Sequence, residues 1–242
     1  MTGAALTLHF LCAGAAQGLV KALEARFRTE AGANLEGRYG AVGAMKEALL
    51  AGEPCDVMIV TAAMIDALAV EGRLDGASAA ALGRVRTGVA VRDGDAVPAV
   101  DTPDGLRAAL LAADRIYFPD PVRATAGIHF AAVLKRLGVH DELAGRFATF
   151  PNGATAMREL GRSTDAAPIG CTQVTEINYT EGVRLAGALP TEFELATVYT
   201  AAASKTAGDP ALAARFVALL TGAASRPLRL EGGFEFEASG PR

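Results

Sequence analysis
Short apolar, β-rich runs alternate with segments of helical spacing along almost the whole chain. This alternation constrains the fold more than any other feature. LTLHFLC (6–12), CDVMIV (55–60), RVRTGVAVR (84–92) and RIYFP (115–119) read as strands. Further strands are expected at 34–39, 147–151 and 167–172, with a long β-rich run at 193–204. A helix is expected after the turn AGAAQG (13–18), with Leu19, Val20, Leu23 and Phe27 on one face. Others are expected over 42–51, 62–70, from Asp101 or Thr102 through Leu111, and over 126–137, 153–162 and 209–221. CDVMIV has no inside–outside alternation, as a strand covered on both faces requires. Repeated βαβ units with short loops predict an α/β fold with a mostly parallel sheet flanked by helices. No repeat of solenoid length is present. A polar, Pro- and Gly-containing break at DGDAVPAVDTPDG (93–105) predicts a boundary between two lobes.

Composition narrows the function classes. The chain has 242 residues, enough for two lobes with their own cores, and 51% of them are hydrophobic. Its formal net charge of −4 and lack of tryptophan speak against nucleic acid as a partner. The three cysteines, Cys12, Cys55 and Cys171, sit in or beside apolar segments and read as small buried hydrophobes. With only three histidines and no Cys/His cluster, neither a metal nor another cofactor is expected. No apolar run reaches the roughly 20 residues of a membrane span, so no direct membrane insertion is expected. The chain would be cytoplasmic if complete, and periplasmic if a leader has been removed.

Three loops, AGAAQG (13–18), YGAVGAM (39–45) and RATAGIH (123–129), each join a strand to a helix start and are rich in Gly and Ala. Small side chains let backbone N–H groups approach a ligand, and a helix N-terminus carries partial positive charge. Together the loops can cradle an anion without a lysine.

The order of these segments resembles the molybdate-binding branch of the type II periplasmic binding proteins. The resemblance rests on HFLCAGAAQGLVKALEARF, YGAVGAMKEALLAGEPCDVMIVT and IYFPDPVRATAGIHFAAVLKRLGV, and its most specific part is GEPCDVMIVT together with 116–139. It implies a two-lobed type II periplasmic-binding-protein fold with the ligand cleft between the lobes. The first lobe would be 1–87 plus 197–242 and the second 88–196, with two crossing segments as hinge. It also implies a monomer that captures a small anionic ligand and serves the membrane component of an ABC transporter.

The departures from that family bear on the ligand. Its molybdate binders offer serine hydroxyls from the first two loops, where this chain has Gly14, beside Ala15, and Val42, beside Gly43. Ala126 matches the family's backbone donor in the third loop. A buried oxyanion lacking such hydrogen bonds is disfavoured by about 1–3 kcal/mol per missing partner. In their place stand Arg123, Thr125 and His129 at one loop, Thr172, Gln173 and Glu176 at another, and Asn152 before the helix between them. The arginine fork suits carboxylates, and Thr, Gln and Asn suit hydroxyl or carbonyl groups. The expected ligand is therefore an organic polycarboxylate.

IGCTQVTEI and AGIHF also resemble a subgroup that includes aconitate isomerase. The alternative function is thus a metal-independent isomerase making a 1,3-proton shift, with His129 and Glu176 as the catalytic groups. Binding of molybdate or tungstate is the second alternative. Each residue also has a structural reading: His129 as a hydrogen-bonder at the cleft rim, Glu176 as a helix-start carboxylate, and Arg123 as the partner of Asp120.

Overall fold
The computed structural model describes residues 6–236, so the outermost parts of the expected first lobe, 1–5 and 237–242, lie outside the described residues. The strands are β1 (Leu6–Ala13), β2 (Ala33–Gly40), β3 (Val57–Thr61), β4 (Ala80–Arg92), β5 (Arg115–Pro119), β6 (Phe147–Phe150), β7 (Pro168–Gln173), β8 (Val183–Ala188) and β9 (Ala196–Ala203). The helices are α1 (Gly14–Ala31), α2 (Val42–Leu50), α3 (Ala62–Val70), α4 (Pro103–Ala112), α5 (Thr125–Arg136), α6 (His140–Leu143), α7 (Gly153–Arg162), α8 (Val174–Asn178), α9 (Pro210–Thr221) and α10 (Arg226–Gly232).

The strands form one sheet in the order β2-β1-β3-β9-β4-β7-β5-β6, with β8 also paired to β4. It is mixed rather than mostly parallel. β2-β1-β3 and β7-β5-β6 are parallel, while β9 and β4 run antiparallel to their neighbours. The cause is β4, a 13-residue strand. Its residues 80–86 pair with β9, whereas 87–91 pair with β7 and 88–92 with β8. These long antiparallel strands need no crossover helix, so βαβ logic does not extend to them.

The apolar faces bury into separate clusters. One gathers Leu8, Leu11 and Met58 from the strands with Leu19, Leu23, Phe27 and Phe216 from α1 and α9. Another gathers Ile116, Phe118 and Ile169 with Phe130, Val133 and Leu134 of α5. A smaller one joins Tyr117 to Met157, Leu160 and Ile177. Cys12 and Cys171 lie inside these cores, and Cys55 is half-buried against the first.

Two local expectations change. Helix α1 begins at Gly14, so most of AGAAQG is helix rather than turn. Its start carries no proline or β-branched residue, and Gly18 lies against the Tyr179 ring with no room for a Cβ. β4 also starts earlier than expected, at Ala80.

Candidate functional site
The helices that follow β1, β2, β5 and β6 begin around one cavity, and β7 ends at it. Gly14 and Ala15 open α1, Val42 opens α2, Thr125 and Ala126 open α5, and Asn152 and Gly153 begin α7; all line it, with Gln173, Glu176 and Tyr199. Its volume is about 20 Å³, room for roughly one water molecule.

The helix ends at this cavity differ from those of α3, α4 and α9. Away from it, Thr61 caps α3 by accepting from the Met64 N–H at 3.4 Å, Thr102 caps α4 from Gly105 at 3.1 Å, and Asp209 caps α9 from Leu212 at 2.9 Å. At the cavity, α1, α2 and α5 have Ala13, Ala41 and Ala124 at the N-cap, and no side chain bonds their first-turn N–H groups. Alanine is among the poorest N-caps, and the first N–H groups of a helix have no partner within it. Three partial positive charges thus converge on one small space. Only α7 caps itself there, Asn152 Oδ1 accepting from the Thr155 N–H at 2.8 Å.

Glu176 is the charged side chain of this wall, and it is 6% exposed. One carboxyl oxygen, Oε1, accepts from the Ala154 N–H of α7 at 3.2 Å, and Oε2 accepts from the Thr172 hydroxyl at 2.5 Å. Burial raises its pKa above the ordinary carboxylate value, against the lowering effect of these hydrogen bonds. A Cβ on Gly14 would overlap Oε1, and one on Gly153 would overlap Oε2 and the Thr172 hydroxyl. The carboxyl group therefore fills the space left by two missing side chains. Glu176 and Gly14 also line a second, outer groove of about 380 Å³, together with Lys21 and Arg158.

Gln173 is 2% exposed, and neither its amide oxygen nor its nitrogen has a hydrogen-bond partner. A buried unpaired amide is costly, and this one borders the cavity. Tyr199, on β9, was not singled out by sequence reasoning. The only local signal is an aromatic ring with a polar tip inside the Ala-rich buried run ATVYTAAA. Burial, and then the nearby Glu176 carboxylate, push its phenol pKa up, so it stays a hydrogen-bond donor.

Other candidates fall outside the cavity. The Arg123 guanidinium pairs with Glu47, not with Asp120. Asp120 Oδ1 is taken by the Val122 and Arg123 N–H groups at 2.7 and 3.0 Å, closing a turn. Arg123 thus lies on an outer surface beside Pro121 and Tyr39. Gly43 faces the Arg123 backbone, its N–H donating to that carbonyl at 3.4 Å. The His129 Nε2–H donates to the Phe193 carbonyl at 2.7 Å, a bond that fixes the tautomer because a carbonyl only accepts. His129 is not among the residues that line the cavity with Glu176. Among the described residues, no three His, Cys, Asp or Glu side chains gather as a metal-ligand set, and no helix is long and apolar enough to cross a membrane.

Residues 8–235 match the family of bacterial extracellular solute-binding proteins. The chain is similar to the aconitate isomerase of a Pseudomonas species, with 24% identity over 205 residues, 81% of this chain and 75% of that protein. It superposes on the periplasmic molybdate-binding protein of Azotobacter vinelandii with a TM-score of 0.78 at 19% identity, covering 96% of this chain and 100% of that one. For the sulfate-binding protein SubI of Mycobacterium tuberculosis the TM-score is 0.70 at 15% identity, over 97% and 88% of the two chains. The fold is that of the periplasmic binding proteins.

Proposed function
The chain belongs to the bacterial extracellular solute-binding protein family, and from that premise we propose that it captures a small organic carboxylate in the cavity where α1, α2 and α5 begin. The observation that carries this reading is the contrast in capping: α3, α4 and α9, away from the cavity, are closed by side chains, and these three helices are left without a side-chain cap where they meet. An anion there would accept from first-turn N–H groups that no side chain satisfies. The choice of a carboxylate over a tetrahedral oxyanion rests on the scarcity of hydroxyls. Gly14 and Val42 offer none, and the polar lining is Thr125, Asn152, Gln173, Glu176 and Tyr199.

Capture of anything larger than a water molecule requires the walls to part. The proposed lobes, 1–87 with 197–242 and 88–196, place the mouth between α2 and α5. The Arg123–Glu47 pair and the Gly43–Arg123 hydrogen bond then span it. In this reading the protein is a monomer that delivers its ligand to an ABC transporter outside the cytoplasm, and Arg123 and His129 act at the rim rather than on the ligand.

A thermal-shift screen with succinate, citrate, cis-aconitate, sulfate, molybdate and tungstate tests the assignment, because a ligand that binds only the folded protein raises its melting temperature. Di- or tricarboxylates should give the largest rise. A rise with molybdate or tungstate alone would overturn the carboxylate reading.

A second reading is isomerisation of a polycarboxylate, favoured by a buried titratable Glu176 at the cavity and by the aconitate isomerase likeness. With His129 held by Phe193, Glu176 would carry the proton alone. Deuterium uptake from heavy water into cis-aconitate, followed by NMR, is the outcome this reading requires. A solute binder returns cis-aconitate unlabelled.

A further inference from the structure
We infer that anion capture at this cavity is proton-coupled: an anion enters together with a proton taken up from solvent, and Glu176 holds that proton. The inference rests on the anion-site reading above and adds its regulation.

Its geometric basis is that Glu176 and the proposed ligand compete for the same surroundings. The Glu176 carboxyl group occupies the space over Gly14 at the start of α1 and over Gly153 at the start of α7. It also borders the roughly 20 Å³ cavity. An anion in that cavity would stand against the carboxyl group, which lines it. Two like charges in one buried site cannot both stay ionised, so one of them binds a proton. The unpartnered, buried amide of Gln173 on the same wall marks the space as one that a polar ligand completes.

Among the described residues, no ion pair to Glu176 relieves this conflict. Lys21 of α1 and Arg158 and Arg162 of α7 line the groove of about 380 Å³ with Glu176, but the Lys21 Nζ lies 5.7 Å from the centre of the Tyr39 ring and Arg162 stands beside Glu159 at 3.8 Å. None of the three makes an ion pair with Glu176 among the described residues. β7 presents the Thr172 hydroxyl and β9 the Tyr199 phenol, while Tyr179 and Glu181 line the same groove as Glu176. The remaining cations on neighbouring elements are engaged elsewhere. Arg84 and Arg86 of β4 are held by Glu235, Arg184 of β8 by the Asp95 carbonyl, and Arg229 of α10 by three backbone carbonyls. Burial already favours the protonated acid, and a second negative charge acts in the same direction. Once protonated, the carboxyl group has an O–H to donate, and it becomes part of the recognition surface instead of repelling the ligand.

The test is calorimetric titration of the intact chain and of Glu176→Gln with succinate and with sulfate. Both are dianions from about pH 6.5 to about pH 8.5, so the probes themselves do not titrate. Two buffers of different ionisation enthalpy count the protons. For the unaltered chain, Kd should weaken by up to about tenfold per pH unit across this range, with about one proton taken up per anion. For Glu176→Gln the Kd should be flat with pH and at least as tight as that of the unaltered chain at the lower pH. A flat Kd with no proton uptake in the unaltered chain overturns the coupling and leaves the anion site standing. Retention of the full pH slope in Glu176→Gln assigns the proton to another group and also overturns it. If neither probe binds either protein at the lower pH, the anion-site reading itself fails. Should the variant fold poorly, the proton count of the unaltered chain decides alone.

Discussion
Gly14, Gly153 and Glu176 form one unit, although 139 positions separate the two glycines in the sequence and only their absent side chains make room for the acid. A methyl group at Gly14 must displace the carboxyl group or the helix start. Gly14→Ala is therefore expected to lower stability by about 1–3 kcal/mol, read as a lower urea midpoint at unchanged slope. Glu176 itself gives stability a pH dependence. Its folded pKa is raised, so between the unfolded and folded values the folded protein holds a proton that the unfolded chain has lost. Stability therefore falls as pH rises through that window and is fully present only below the unfolded value. Glu176→Gln should raise the melting temperature more at about pH 8 than at about pH 4. The sequence singles out Gly14 for a missing hydroxyl and Glu176 as a possible base, yet not their contact. Such a contact joins distant positions and leaves no local pattern. Arg123 and His129 do not line the cavity, and charge and nearness to a loop do not reveal in advance which way a side chain points.

At the level of elements, the helices are legible because their apolar spacing is local. α3 falls on its expected 62–70 and α7 on its expected 153–162. β8 is not legible. It is a short edge segment with exposed Arg184 and half-exposed Leu185, so it carries no alternation to detect. The mixed sheet escapes for a similar reason, because pairing direction depends on where β4 and β9 meet rather than on their composition. The uncapped helix starts are visible in advance as Ala and Gly, but their convergence is not. They predict a trade between stability and binding. Ala41→Ser should cap α2, stabilise the ligand-free protein by about 0.5–2 kcal/mol and weaken binding of the best carboxylate in the screen. Thr102→Ala, at the start of α4, should cost a similar amount in thermal melts and leave that Kd unchanged.

Across the whole molecule, the contacts between α2 and the β5–α5 loop, which span the mouth in the proposed two-lobed reading, are surface contacts. Arg123 and Glu47 are 47% and 65% exposed at their side chains, and such pairs contribute about 0–1 kcal/mol. Arg123→Ala should change the denaturation free energy by less than about 1 kcal/mol and leave the ranking of anions in the screen unaltered. A change in ranking would mean that the guanidinium reaches the ligand after all.

β4 and β9 have a mechanical consequence. Arg86 and Ala196 are register partners, and the Thr87 N–H bonds the Leu195 carbonyl at 3.1 Å. The chain thus leaves β1–β3 along one strand of this ribbon and returns along the other. Interstrand hydrogen bonds fix the roughly 5 Å spacing between two such strands, while the torsions of each strand yield readily to twist. The ribbon is a torsion bar, stiff to stretching and soft to rotation. In the proposed two-lobed reading, motion of one half against the other is then a turn about this bar, and the helix starts that sweep the widest arc are those farthest from it.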